Sequence, residues 1–220
     1  MLAIIPARGA SKRIEDKNMQ TIGNRVLIKW VVDAIRNSSS ITRIFVSSDY
    51  HNILNYCDSI GLQVDIRPKE LAQDTTTMQD VTDYILKKYD YNEACIIQPT
   101  SPFVESKDID GAVALFNETH RTVASVSAID GHPEWYYSLN DEAHLQPLIG
   151  ADYVRKIRSQ DLPQYYTLNG MIRIVTKHKF EPEVGYIISD KERCIDIDTP
   201  EDLERAREYF EQKGKQWITV

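Results

Sequence analysis

Two aspartates separated by one residue, Asp196 and Asp198, are candidates for metal binding. On an extended strand, residues two apart face the same side, about 6.6 Å apart along the chain. Two carboxylates held this close repel each other unless a cation lies between them. Mg²⁺ takes oxygen ligands and leaves its other positions to water and substrate phosphates. The pair therefore predicts a magnesium site; the alternative is that one aspartate is a turn or cap residue and the other is exposed.

A second candidate site is a group of cations that follows the first apolar run. The chain turns from Leu2–Pro6 into the polar sequence ARGASKR, in which Gly9 gives the backbone freedom to direct N–H groups at phosphate oxygens. The basic residues around that glycine are Arg8, Lys12, Arg13 and Lys17. Their spacing matches neither the phosphate loop nor the dinucleotide fingerprint. An anion-binding loop is one interpretation, and a solvated basic loop is the other.

A third segment, from Gln98 to Pro102, leaves an apolar strand and carries polar side chains between two prolines. The prolines stiffen the chain where those side chains emerge, although an ordinary strand-to-helix turn explains the same residues. The sequence contains no nucleophile elbow and no histidine spacing typical of zinc sites.

Short apolar strands that alternate with amphipathic helices must position these segments. We predict strands at 2–6, 43–47, 63–66, 94–98, 122–128, 171–175, 186–188 and 195–197, and helices at 25–36, 50–60, 81–88, 108–117 and 199–212. The last helix carries a capping box, with Thr199 as N-cap, Pro200 in the first turn and Asp202 at the third position. This alternation predicts an α/β fold whose mostly parallel sheet has helices on both faces. Ligands of such sheets bind at the carboxyl ends of the strands.

Residues 130–166 interrupt the alternation and are rich in proline and aromatic side chains. The aromatic residues include Trp135, Tyr136, Tyr137, Tyr165 and Tyr166. We interpret the segment as loops and antiparallel strands inserted into one domain of residues 1–220. Tyrosine and tryptophan are enriched in interfaces because they bury a large area and keep a polar group. A dimerisation segment is expected; the alternative is that the rings cover an open face of the chain's own sheet.

Composition and charge favour a soluble cytoplasmic protein with a small anionic ligand. No stretch approaches the roughly 20 apolar residues of a membrane helix, and the start lacks the basic lead-in of a signal peptide. Cys57, Cys95 and Cys194 have no paired spacing, which is typical of reduced thiols. The net charge of −7 argues against a nucleic-acid partner. Residues 1–30 carry +4 and the remainder −11, and a small cationic patch suits a small polyanion.

Six short motifs follow one another over nearly the whole chain. They are IPARGASKR with Lys17-Asn18, RPKELAQDT at 67–75, IQPTSP at 97–102, QDLP at 160–163, Asn169-Gly170, and IDIDTPEDL at 195–203. In this order they resemble the acylneuraminate cytidylyltransferases, the family of CMP-sialic acid synthetases. One motif alone is a weak signal, whereas six in order are a specific one.

The resemblance implies a Rossmann-like nucleotidyltransferase fold and a homodimer built through the inserted segment. It also implies an enzyme that joins CMP from CTP to an acidic nine-carbon sugar and releases pyrophosphate. The residues it implies are Lys17, Asp196 and Asp198 for catalysis, with the two aspartates holding Mg²⁺, and Arg8, Gly9, Ser11 and Lys12 at the CTP phosphates. The resemblance also implies residues that bind the cytidine, which are Asn18, Arg67, Thr75, Thr76 and Thr77. It implies a third group at the sugar, which is Gln98, Thr100, Ser101, Gln160 and Asn169.

Four positions depart from the family pattern, Arg13, Val104, Ser159 and Arg173, and in the first loop Ala10 also replaces a glycine. Most of them fall around the sugar half, so the nucleotide interpretation stands while the sugar stays open among sialic, legionaminic and pseudaminic acids. Two alternatives remain, a cytidylyltransferase for the eight-carbon acid KDO and a nucleotide-binding subunit without catalysis. The QPTSP segment disfavours the first, and the aspartate pair with Lys17 disfavours the second.

Overall fold

The computed structural model describes residues 1–9, 11–149 and 158–214. In chain order the strands and helices are β1 (Leu2–Pro6), β2 (Thr21–Ile22), β3 (Arg25–Val26), α1 (Leu27–Arg36), β4 (Arg43–Ser48), α2 (His51–Ser59), β5 (Gln63–Ile66), α3 (Met78–Lys88), β6 (Glu93–Ile97), α4 (Ser106–Thr119), β7 (Val123–Ala128), β8 (Tyr137–Leu139), β9 (Leu145–Pro147), β10 (Tyr166–Thr176), β11 (Val184–Ile187) and α5 (Pro200–Lys213). None of the helices within these residues is long and apolar enough to cross a membrane.

Seven strands form one sheet in the order β11-β7-β10-β6-β1-β4-β5. All neighbours are parallel except that β10 runs antiparallel to both β6 and β7. From β1 the chain moves outward through β4 to β5 and then returns to β6 on the other side of β1. The connections therefore leave β1 and β6 in opposite directions, which opens a crevice above their carboxyl ends. The mostly parallel α/β fold that the sequence predicts is confirmed.

Helices cover both faces of the sheet because its central strands are apolar on both sides, as buried parallel strands are. On one face α1, α2 and α4 bury side chains such as Ile28, Ile53 and Ile109. On the other face α3 buries Val81 and Ile85. The layers thus hold the strand ends, and the loops that follow them, in fixed positions.

The C-terminal helix α5 belongs to a separate apolar cluster. It packs Leu203 and Ala206 against Trp30 and Phe103, together with Ile195 and Ile197 of the segment before it. The predicted capping box is present, since Thr199 Oγ1 accepts from the Asp202 amide at 3.3 Å and Asp202 accepts from the Thr199 amide at 3.0 Å. The end of the aspartate segment is therefore fixed by a helix start.

The strand predicted at 195–197 is wrong, because these residues form no sheet ladder. Ile195 and Ile197 are buried as the alternation requires. The main chain is tied instead to the loop after β6, where the Ile197 amide donates to the Thr100 carbonyl at 2.9 Å. The segment that carries the two aspartates is thus irregular and is held by loop and side-chain contacts.

Strand β10 is longer than the strand predicted at 171–175. Strand β10 begins at Tyr166, and its register shifts between Leu168 and Arg173, where Gly170 has a left-handed φ of 75°. The inserted segment contains the predicted antiparallel pairing as the hairpin of β8 and β9. Residues 150–157 of that segment lie outside the described residues.

Candidate active site

A cavity of about 420 Å³ opens above the carboxyl ends of β1 and β6. It brings together residues from four motifs that are far apart in sequence. The predicted site residues that line it are Arg8, Ser11, Lys12, Lys17, Asn18, Arg67, Thr76, Thr77, Gln98, Thr100 and Asp198. The crevice expected from the strand order therefore coincides with the residues that the sequence singles out.

One wall of the cavity carries the cations of the first loop. Arg8 and Lys12 both contact Asp74, which lies on the opposite side in the loop before α3, at 3.0 Å and 2.5 Å respectively. The Lys12 ammonium, with Arg8 beside it, holds the pKa of the Asp74 carboxyl below its usual value. Arg8 is partly exposed and Lys12 is exposed, so both are accessible to an anion that enters the cavity.

Lys17 connects the first loop to the aspartate segment. Its ammonium donates to the Ile197 carbonyl and to Asp198 Oδ1, each at 3.0 Å. The neighbouring Asn18 is buried, and its amide donates to the Arg8 carbonyl at 3.0 Å, which fixes the path of the loop. A short 3₁₀ turn, Lys17–Met19, presents both side chains to the cavity.

Asp196 lies beside the cavity rather than in its lining. A Cβ added to Gly170 would lie 3.5 Å from Asp196 Oδ2, so the carboxyl group faces the shift in β10. Burial raises the pKa of Asp196, with the Asp198 carboxylate adding to the effect and the Thr100 hydroxyl and Lys17 opposing it. The two carboxylates thus interact, and a cation between them would relieve their repulsion.

The floor of the cavity is a buried guanidinium. Arg67 follows β5 and donates from Nη2 to the Ser47 carbonyl at 2.9 Å. Burial lowers its pKa, and the nearby carboxylates Asp49 and Asp65 oppose that effect. These contacts fix the arginine, and its guanidinium brings hydrogen-bond donors to the cavity lining.

Besides Asp196, five predicted residues do not line the cavity: Gly9, Thr75, Ser101, Gln160 and Asn169. The Gly9 amide donates to Asp49 Oδ1 at 2.9 Å, and any Cβ there would lie 2.4 Å from Tyr50. This glycine is therefore required for close packing, and a phosphate contact of its N–H stays a prediction.

The other four have different surroundings. Thr75 and Gln160 are exposed, and Ser101 is buried. Asn169 is buried and accepts from Ser125 Oγ at 2.5 Å, which joins β10 to β7. Its amide already has a structural partner, and a role at the sugar stays a prediction.

The four departures from the family pattern have unlike environments. Arg13 lies 3.5 Å from Asp198 Oδ2, and Val104 is part of the core. The Arg173 guanidinium stacks 4.8 Å from the Phe180 ring centre. The side chain of Ser159 is outside what the structure describes. Of the three whose side chains the structure describes, Arg13 is the one that lines the cavity, next to the aspartate pair.

A buried ion pair that the sequence did not predict anchors the aspartate segment. Arg193 donates to both oxygens of Asp108 at 2.6 and 2.8 Å and to the Phe103 carbonyl at 3.0 Å. Asp108 also caps α4, since it accepts from the Glu105 amide at 3.0 Å. The two partners are 85 positions apart, and no local pattern connects them.

We expect Asp108→Ala to lower the free energy of unfolding by about 3–5 kcal/mol, because it leaves the Arg193 charge buried without its partner. Chemical denaturation monitored by circular dichroism measures the change. Glu118→Ala, on the exposed side of the same helix, is the control and should change stability by less than about 0.5 kcal/mol. Equal effects of the two substitutions would contradict an anchoring role.

The sequence profile of the family described as cytidylyltransferase matches residues 2–215, nearly the whole chain. The chain belongs to the cytidylyltransferase family. In this cytidylyltransferase the matched range includes the first loop, Arg67 and both aspartates.

Individual relatives agree with this result. The chain is similar to the N-acylneuraminate cytidylyltransferase of Streptococcus agalactiae serotype V, at 32% identity over 92% of this chain and 51% of that protein. It is equally similar, at 32%, to the CMP-N,N'-diacetyllegionaminic acid synthase of Legionella pneumophila, over 92% of each chain. The chain spans about half the length of the first relative.

A solved structure of CMP:2-keto-3-deoxy-manno-octonic acid synthetase complexed with CTP has the same fold. It superposes with a TM-score of 0.74 over 96% of this chain and 98% of that one, at 15% identity. At this identity the likeness shows the fold and does not discriminate between sugars.

Proposed function

We propose that this cytidylyltransferase joins CMP from CTP to a nonulosonic acid of the sialic, legionaminic or pseudaminic type. The observation that carries the proposal is the cavity that places the cations of the first loop, the Arg67 guanidinium and Asp198 around one space. The negative charge of a triphosphate complements the cations, and the carbonyl and ring acceptors of a base complement the donors of the arginine.

In the proposed reaction, the anomeric hydroxyl oxygen of the sugar forms a bond to the α-phosphorus. The bond from that phosphorus to the bridging oxygen of the β-phosphate breaks, and pyrophosphate leaves with its electron pair. The hydroxyl proton passes to a base, for which Asp196 and Asp198 are the chain's own candidates. Arg8 and Lys12 bind and orient the phosphates, so positioning and charge neutralisation supply most of the acceleration.

Asp196 and Asp198 are the residues that would hold Mg²⁺. The donor set fits this ion, which binds through one or two carboxylates and completes its shell with water and phosphate. The described residues offer no cluster of three or more acidic, histidine or cysteine side chains, so the other ligands would come from substrate and solvent. Bound there, the ion would neutralise charge on the phosphates. Lys17, already paired with Asp198, would hold that carboxylate in place.

We expect Arg8→Ala and Lys12→Ala each to weaken CTP binding by about 1.5–3 kcal/mol, the value of a hydrogen bond to a charged group. Both side chains lie in an exposed loop, so thermal stability should hardly change. Calorimetry of CTP binding measures the effect, and Lys87→Ala, an exposed lysine on α3, is the matched control. If the two variants bound CTP as tightly as the parent, the phosphate assignment would be wrong.

We also propose that the inserted segment forms a homodimer. Large apolar side chains are exposed on the hairpin of β8 and β9, on the residues flanking it, and on β10 and β11. They are Trp135, Tyr136, Tyr137, Leu139, Leu145, Leu148, Tyr166, Leu168 and Ile187. A monomer seldom carries a patch of this kind, and a two-fold contact would bury it on both chains. Tyr165 is only half-buried, and its hydroxyl donates to Glu134.

A panel of sugar acids tests the proposed function. Pyrophosphate release from CTP should depend on a nonulosonic acid and should be much slower with KDO. A preference for KDO would support the eight-carbon alternative. Release that no acid stimulates, together with tight CTP binding, would support a binding subunit without catalysis.

A further inference from the structure

The carboxylate of Asp74 bridges the two cations to which the proposed function assigns the CTP phosphates. One oxygen lies 3.0 Å from Arg8 Nη1 and the other 2.5 Å from Lys12 Nζ. The contact joins two loops that line the cavity, because Asp74 belongs to the loop before α3 and the cations belong to the loop after β1. An acid of the chain itself thus contacts both of the cations that an anionic ligand would need.

The loop that carries Asp74 has fixed ends. On one side, the 3₁₀ turn Lys69–Leu71 is closed by the Ala72 amide, which donates to the Lys69 carbonyl at 3.2 Å. On the other side, Thr77 caps α3 through a capping box with Asp80. Asp74 itself is about half exposed, so its side chain is free to leave the cations without unfolding either end.

We infer that Asp74 competes with pyrophosphate groups for Arg8 and Lys12, and that it thereby sets how tightly CTP binds and how readily pyrophosphate leaves. This inference rests on the proposed function. A ligand with β- and γ-phosphates must displace Asp74, whereas the CMP part does not need these two cations. When pyrophosphate departs, Asp74 returns to them and makes rebinding less favourable. The carboxylate therefore opposes binding of both the triphosphate and the leaving group.

Substitution of an ordinary binding residue weakens ligand binding, whereas removal of the Asp74 charge should strengthen it. Asp74→Asn keeps the shape of the side chain and removes its charge, so it should bind pyrophosphate and CTP about threefold to tenfold more tightly. Binding of CMP should be unchanged. Isothermal calorimetry with the three ligands, in one buffer at fixed magnesium and salt, measures all of these constants.

Two further proteins make the test specific. Glu70→Gln removes one negative charge from the same segment, and the Glu70 side chain is exposed; it should leave pyrophosphate binding as in the parent. In an Arg8→Ala/Lys12→Ala background, Asp74→Asn should no longer strengthen binding, because the cations for which it competes are gone.

The outcomes separate this inference from the proposed function. If the parent binds CTP and pyrophosphate but Asp74→Asn binds them no more tightly, or gains no more than Glu70→Gln, Asp74 is not a competitor and only this inference is overturned. An equal gain for CMP would overturn it as well, since CMP does not need the two cations. A parent that binds neither CTP nor pyrophosphate would overturn both.

Discussion

Asp198→Asn should reduce turnover by about a hundredfold or more at saturating CTP and magnesium. The carboxylate lies in the cavity, is held by Lys17 at 3.0 Å, and is one of the two proposed ligands of the metal ion. Loss of metal-based charge neutralisation removes several kcal/mol of transition-state stabilisation, and each 1.4 kcal/mol corresponds to about a factor of ten in rate. Asp196→Asn should have an effect of similar size.

The matched control is Glu201→Gln, an exposed acid in the first turn of α5 that is close in sequence to both aspartates. It should keep the activity of the parent, which would show that loss of charge in this region is not itself the cause. Mn²⁺ binding measured by electron paramagnetic resonance gives a readout apart from activity and should weaken in both aspartate variants. Normal turnover of Asp198→Asn at saturating magnesium would contradict the metal assignment.

The second large effect concerns assembly. The chain, of 25.3 kDa, should sediment at micromolar concentration with twice that mass. Leu139 and Leu145 lie opposite each other in the hairpin and are 68% and 64% exposed. Leu139→Lys/Leu145→Glu places opposite charges on these paired strands, which the hairpin tolerates, but buries two charges in an apolar interface. The double variant should sediment as a monomer.

Ile66→Lys provides the control, because Ile66 is 67% exposed on the edge strand β5, in a different part of the chain. This variant should remain a dimer. A parent that stays monomeric would contradict the homodimer proposal. If the double variant stayed dimeric, the interface would lie in another part of the chain than the hairpin.

Much of the fold follows from local patterns in the sequence. The predicted bounds of β1 and β5 coincide with the observed ones, since each is a short apolar or alternating run between turn residues. The capping box at Thr199 and Asp202 fixes the start of α5 to the residue. Signals of this kind are local in the sequence and do not depend on tertiary contacts.

The prediction for 195–197 failed for an instructive reason. Alternation of apolar and polar residues predicts which side chains are buried, and Ile195 and Ile197 are buried as expected. It does not determine whether a neighbouring strand is available for pairing. Here the segment pairs with a loop, at the Thr100 carbonyl, and is anchored by Arg193.

The candidate site was only partly predictable, because several of its contacts join distant positions. The contact between Arg8 and Asp74 spans 66 positions, and that between Lys17 and Asp198 spans 181. The types of these residues suggest anion and metal binding, but no spacing rule connects them. Asp74 lies within the motif RPKELAQDT, yet nothing in that motif indicates that its charge faces the first loop.

The central claim is that this chain transfers CMP to an acidic nine-carbon sugar. Its most direct test is to incubate the protein with CTP, Mg²⁺ and each candidate acid and to identify the products by mass spectrometry and ³¹P NMR. We predict a CMP-sugar phosphodiester and pyrophosphate in equal amounts with at least one nonulosonic acid. Hydrolysis of CTP without a sugar-linked product, or no consumption of CTP with any of the acids, would contradict the account.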